Sequence, residues 1–101
     1  MNKAAPAQTA LKVFTVLDVL WRNFATGYTP GELAQASGLA PADITRYVAT
    51  LIEAGYAERI PETNRIRVAV AIARKALQVM QSLDAAERRI AETRVRLFTT
   101  A

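Results

Sequence analysis

A mostly α-helical fold carrying one small two-stranded hairpin is predicted for this 101-residue chain, on three observations. Residues Thr29 to Tyr56, TPGELAQASGLAPADITRYVATLIEAGY, hold two short amphipathic stretches separated by Gly38. Arg65 to Val70, RIRVAV, alternates polar and apolar residues with the period of a strand. Ala71 to Phe98 contains neither glycine nor proline, as one long helix or a pair of helices requires.

Composition sets the bounds. With 51% apolar residues, a chain of this length buries one core, so a single folded body is expected over residues 8–70, between a flexible tail (1–7) and a helical extension (71–101). The absence of cysteine and histidine removes a disulfide framework and the usual zinc ligands. The first ten residues, MNKAAPAQTA, carry no secretory pattern, and no apolar run reaches membrane-spanning length, so a cytoplasmic protein without membrane contact is expected. A formal charge of +4 suits a polyanionic partner. That charge is unevenly placed. Residues 29–56 set Arg46 against Glu32, Asp43 and Glu53, whereas residues 57–75 set Arg59, Arg65, Arg67, Arg74 and Lys75 against Glu58 and Glu62.

From about Ala7 to Phe24 the chain reads as the first helix, with Leu11, Phe14, Leu17, Leu20, Trp21 and Phe24 as a core-facing stripe widened by Val13, Val16 and Val19. A helix apolar over so much of its circumference needs cover on two sides. The second cover is either the C-terminal helix of the same chain or a twofold partner, for which Phe14 and Trp21 are the contact candidates. Gly27 to Thr29 forms a turn.

Thr29 caps the next helix, Pro30 suits its first position and Glu32 places a carboxylate in the positive first turn. Gly38 supplies the left-handed residue that ends it. The second helix of the pair runs from Pro41 to Gly55, with Ile44, Tyr47, Val48, Leu51 and Ile52 inward and Ala42, Asp43, Thr45, Arg46, Ala49 and Thr50 outward. That outward set is the candidate reading surface of a helix-turn-helix. Asp43 fits two roles, accepting from a cytosine or stabilising the helix start.

Tyr56 to Ile60 reads as a short strand and Ile60 to Arg65 as a turn, Pro61 fixing its backbone and Asn64 tolerating the left-handed region. In the following strand Ile66, Val68 and Val70 point inward and Arg65 and Arg67 outward. This hairpin is the wing of a winged helix-turn-helix, where outward arginines meet phosphates or the minor groove, or simply solvate the strand.

With its order of helix, helix-turn-helix and wing, and the phrases LKVFTVLDVL and ELAQASGLAPADITRYVATLIEAGYAERI, the segment 9–70 resembles the DNA-binding domain of the IclR family of transcription regulators. The resemblance implies that the second helix of the motif enters the major groove of double-stranded DNA, that the wing meets the backbone or minor groove, and that the domains bind as dimers. It points to Arg46 as a backbone or base contact and to Arg59 and Arg65 at the wing. Thr29, Ala42, Asp43, Thr45, Thr50, Asn64 and Arg67 complete the expected contact set. Two departures stand out: Ala42 and Asp43 replace the small hydroxyl residues that open the family's reading helix, and the family's effector-binding domain has no counterpart after the wing, so no small-molecule effector or cofactor is expected.

In the extension, Ile72, Ala76, Val79, Leu83, Ala86, Ile90, Thr93 and Leu97 fall at alternating steps of four and three, a coiled-coil seam. Ile72, Val79, Leu83, Ile90 and Leu97 are accordingly the expected dimerisation residues. Ser82 to Glu87 also reads as a capping box at Asp84, which would break the helix in two and fold its second half back. Catalysis is discounted, because the nine acids are scattered and no histidine, cysteine or phosphate-binding glycine loop accompanies them. The expectation is a homodimeric, sequence-specific DNA-binding regulator of the kind phages and mobile elements carry. The alternative is an adaptor that uses the winged helix for protein contacts.

Overall fold

The computed structural model describes residues 3–99 and places six elements in chain order: α1 (Gln8–Trp21), α2 (Pro30–Ser37), α3 (Pro41–Glu53), β1 (Ala57–Arg59), β2 (Ile66–Val68) and α4 (Val70–Phe98). Met1 and Asn2 of the expected tail, and Thr100 and Ala101 of the expected extension, lie outside the described residues. The architecture is a winged helix-turn-helix followed by a long helix.

α1 ends at Trp21, short of Phe24, because its last turn tightens: the Arg22 and Asn23 amides donate to Val19 and Leu20 three residues back. The face it buries matches the expected stripe in part, at Leu17, Leu20 and the valines, and departs from it at Leu11, Phe14 and Trp21. Val16, Leu17, Val19 and Leu20 enter the core, Val13 and Phe24 pack partly against it, and Leu11, Phe14 and Trp21 stay exposed at 48%, 56% and 41%. A helix apolar on both faces offers no period that selects one, so packing decides. The valine face fits against α2, α3 and β2.

The core then closes around Leu33 of α2, Ile44, Tyr47, Val48 and Leu51 of α3, and Ala57, Ile66 and Val68 of the wing. Ile52, read as inward, lies at the margin and is exposed. β1 and β2 pair antiparallel in the register Ala57 to Val68, Glu58 to Arg67 and Arg59 to Ile66. Their turn closes as the Thr63 and Asn64 amides both donate to the Ile60 carbonyl, with Asn64 at φ 60°.

The segment before α2 does more than turn. Tyr28 bridges β2 on the side away from β1, exchanging two 2.8 Å backbone hydrogen bonds with Ile66. This close approach explains Gly27, which sits at φ +72° and whose Cβ, if present, would lie 2.6 Å from the Ile66 carbonyl oxygen.

α4 is one helix of 29 residues, not two. The capping pattern at Asp84 goes unused, since an exposed Asp within a helix costs only its propensity and a break would sacrifice several backbone hydrogen bonds. Only Val70, Ile72 and Ala73 in its first turn, and Ala85 and Ala86 further on, are half-buried; the rest from Arg74 to Thr99 is exposed. Ile72 packs on the domain's own core, so the free seam starts beyond it. α4 therefore does not cover α1. The chain has a radius of gyration of 20.1 Å, against about 13 Å for a compact domain of this length, because α4 projects from the body.

Candidate nucleic-acid interface

The two helices of the motif are held by local chemistry. Thr29 Oγ1 accepts from the Glu32 amide at 3.1 Å while Glu32 Oε1 accepts from the Thr29 amide at 2.9 Å, a reciprocal cap that starts α2. Gly38, at φ 73°, ends the helix by donating to Ala34, and the Ser37 hydroxyl accepts from the Leu39 amide and donates to the Ala34 carbonyl. Ala40 is extended, as the residue before a proline prefers, and Pro41 opens α3. Fully buried Leu33 and Ile44 then fix α3 against α2.

This leaves Ala42, Thr45, Arg46, Ala49 and Thr50 exposed along one side of α3, with Asp43 half-buried at its start. The Arg46 side chain is 68% exposed, donates from Nη2 to Asp43 Oδ1 at 3.2 Å, and lies 5.4 Å from the Tyr47 ring centroid. An exposed ion pair of this kind contributes about 0 to 1 kcal/mol, so Arg46 is readily drawn to another acceptor. The Thr50 hydroxyl donates to the Arg46 carbonyl at 3.0 Å and keeps only accepting capacity for a ligand. The Thr29 hydroxyl is engaged in its cap.

The wing arginines differ from expectation in surroundings. Arg65 and Arg67, read as outward and free, are partly buried and paired. Arg65 donates to the carbonyls of Thr26 and Gly27 and to Glu32 Oε1, tying the wing to the start of α2. Glu32 is consequently held below its ordinary value of 4.5, first by the hydrogen bond from the Thr29 amide and further by the charge of Arg65. Arg67 grips Glu58 Oε2 through Nε and Nη2 at 2.9 and 2.8 Å, and its guanidinium lies 5.3 Å from the Phe24 ring centroid. Arg59 stays exposed at the wing tip, reaching only the carbonyl of exposed Asn64 at 3.4 Å. Sequence reasoning missed Glu58. The signal was present, since placing the turn at Ile60 to Arg65 sets Glu58 opposite Arg67 in the hairpin register. No local signal joins Arg65 to Glu32.

The model of the IclR helix-turn-helix domain matches residues 9–61, just over half of the 101 residues. The chain belongs to the IclR helix-turn-helix family. The matched segment runs from the start of α1 through α2 and α3 to the end of β1, so the IclR domain contains the whole reading motif. Such a domain serves DNA-binding transcription regulation. Among solved structures, HmgR of Pseudomonas aeruginosa has the same fold over 90% of this chain, with a TM-score of 0.66 and 24% identity. The IclR chain described here spans 38% of that protein's length. No curated protein sequence matches. Among the described residues no helix is long and apolar enough to cross a membrane.

Proposed function

We propose that the chain binds double-stranded DNA sequence-specifically as a homodimer, regulating transcription by occupying its site. α3 enters the major groove with Ala42, Asp43, Thr45, Arg46 and Thr50 toward the bases, and the wing tip, Arg59 with Asn64, follows the sugar-phosphate backbone. Thr29 lies at the edge of this surface. Arg65 and Arg67 act mainly by holding the wing, through Glu32 and Glu58, at a fixed angle to α3. The apolar seam of α4, with Leu83 exposed at 54% and Val79, Ile90 and Leu97 likewise exposed, is the single observation that carries the dimer. A helix with such a stripe buries it against a second copy. Phe14 and Trp21 on α1 extend the same interface. Residues 8–70 form the DNA-binding unit and residues 71–101 the dimerisation extension.

Selection of bound duplexes from a random pool tests this. A homodimer of this class selects a two-fold symmetric site with half-sites about 34 Å apart or a multiple of it. Recovery of asymmetric or unrelated sequences contradicts it. One observation favours a second reading, a protein-binding adaptor: the motif from residue 29 to 56 carries three acids against Arg46 alone, and Arg46 is itself paired with Asp43. An adaptor leaves the random pool unenriched.

A further inference from the structure

Glu58 stands at the place where α4 leaves the body. Its Oε2 accepts both donors of Arg67 on the neighbouring strand, while its Oε1 accepts from the amide of Val70, the first residue of α4, at 3.2 Å. Arg67 in turn stacks 5.3 Å from the Phe24 ring just beyond α1. One carboxylate thus joins β1, β2, the end of α1 and the start of α4. Little else does. α4 has no side-chain cap on Ala69, and past Ala73 it rests on nothing beyond the half-burial of Ala85 and Ala86. The remaining ties are the Ala69 amide donating to Tyr56 and the packing of Ile72 on the core. A free helix N-terminus exposes unpaired amides that favour an anionic acceptor, so the Glu58 carboxylate suits both of its partners.

We infer that Glu58 is the positioning residue that sets the direction in which α4 departs and, through it, the separation of the two reading helices in the dimer. This rests on the homodimer proposed above. A 29-residue helix spans about 43 Å at 1.5 Å per residue. Where two copies pair along it, a change of roughly 15° at its first turn swings each body, with its reading helix, by the same angle about that pivot in both protomers at once, and so alters the separation at which half-sites are met. Glu58 reads no base; it decides which half-site spacing the bases are read at.

The test measures the distance between protomers directly. The chain has no cysteine, so Gln35→Cys, on the exposed side of α2, gives one spin label per protomer in the full-length protein. Pulsed dipolar spectroscopy of the labelled protein without DNA should give one narrow distance distribution. Glu58→Ala in the same background should at least double its width while the helical signal and the dimer mass persist. Glu58→Gln, which keeps an acceptor for the Val70 amide, should restore most of the narrowness. Should Glu58→Ala fail to fold, Val70→Pro serves instead. It removes only the amide that Glu58 accepts from, at a first helical position where proline is tolerated and behind an Ala69 already extended at ψ 141°. An unchanged width in the folded variant overturns the role of Glu58 and leaves the dimer standing. Absence of any dipolar coupling in the parent protein overturns the dimer, and the inference with it.

Discussion

Glu32 works at two tasks with one oxygen, completing the cap of α2 and holding Arg65 of the wing. Its lowered pKa gives that arrangement a pH signature. Because the folded value lies below the ordinary 4.5, the stabilisation is fully present at neutral pH. It begins to decline as the unfolded carboxyl takes up protons near that value, and is lost as the pH falls through the folded value. Glu32→Gln keeps a capping side chain but removes the charge. Melting curves should therefore show a lower Tm than the parent at pH 7, and the gap should close as the pH falls below 4.5; a gap independent of pH would contradict the pairing with Arg65. Gly27 offers a second residue-scale prediction. With φ +72° and the Ile66 oxygen 2.6 Å from the missing Cβ, Gly27→Ala should destabilise by about 1 to 3 kcal/mol, read from denaturant unfolding. Gly27 and Gly38 were both visible in the sequence as turn or helix-ending residues. The partner that makes Gly27 indispensable was not, because a one-residue bridge to a strand 38 positions later leaves no periodic trace.

At the scale of elements, legibility followed local chemistry. The bounds of α2 and α3 could be read off Thr29, Pro30, Gly38 and Pro41, which act through their own backbone angles and caps. The strand pair was readable from the alternation of Ile66 and Val68. Two questions stayed open or were only partly answered where the pattern was degenerate. α1 is apolar on both faces, so its stripe could not be assigned before its neighbours were known. In α4 a capping box and a continuous seam competed, and the seam won because nothing packs back to repay a break. The candidate contacts divided the same way: the outward side of α3 follows from helical period, whereas the pairing of Arg65 and Arg67 depends on partners in other elements. Arg65→Ala should consequently loosen the wing, lowering thermal stability by a measurable margin alongside any loss of DNA affinity. Arg46→Ala, changing an exposed side chain, should leave stability within about 0.5 kcal/mol. Equal melting curves for the two variants would count against the structural role given to Arg65.

For the whole molecule, an extension that leaves its apolar residues bare makes the isolated chain an incomplete object. In solution the mass should be twice the 11.0 kDa of the chain, and Leu83→Asp should shift it to the single-chain value by placing a charge in the seam. Residues 8–70 carry the complete core and should remain folded in that variant. A parent protein at single-chain mass would remove the dimer from the account.

The central claim is that α3 lies against bases, with Arg59 at the wing tip following the backbone. Equilibrium binding to the selected duplex across a salt series, for the parent and for Arg46→Ala, tests it most directly. The account predicts that affinity falls linearly on logarithmic axes as salt rises, and that Arg46→Ala weakens binding by about 1 to 3 kcal/mol at fixed salt. An affinity indifferent both to salt and to the loss of Arg46 would contradict it.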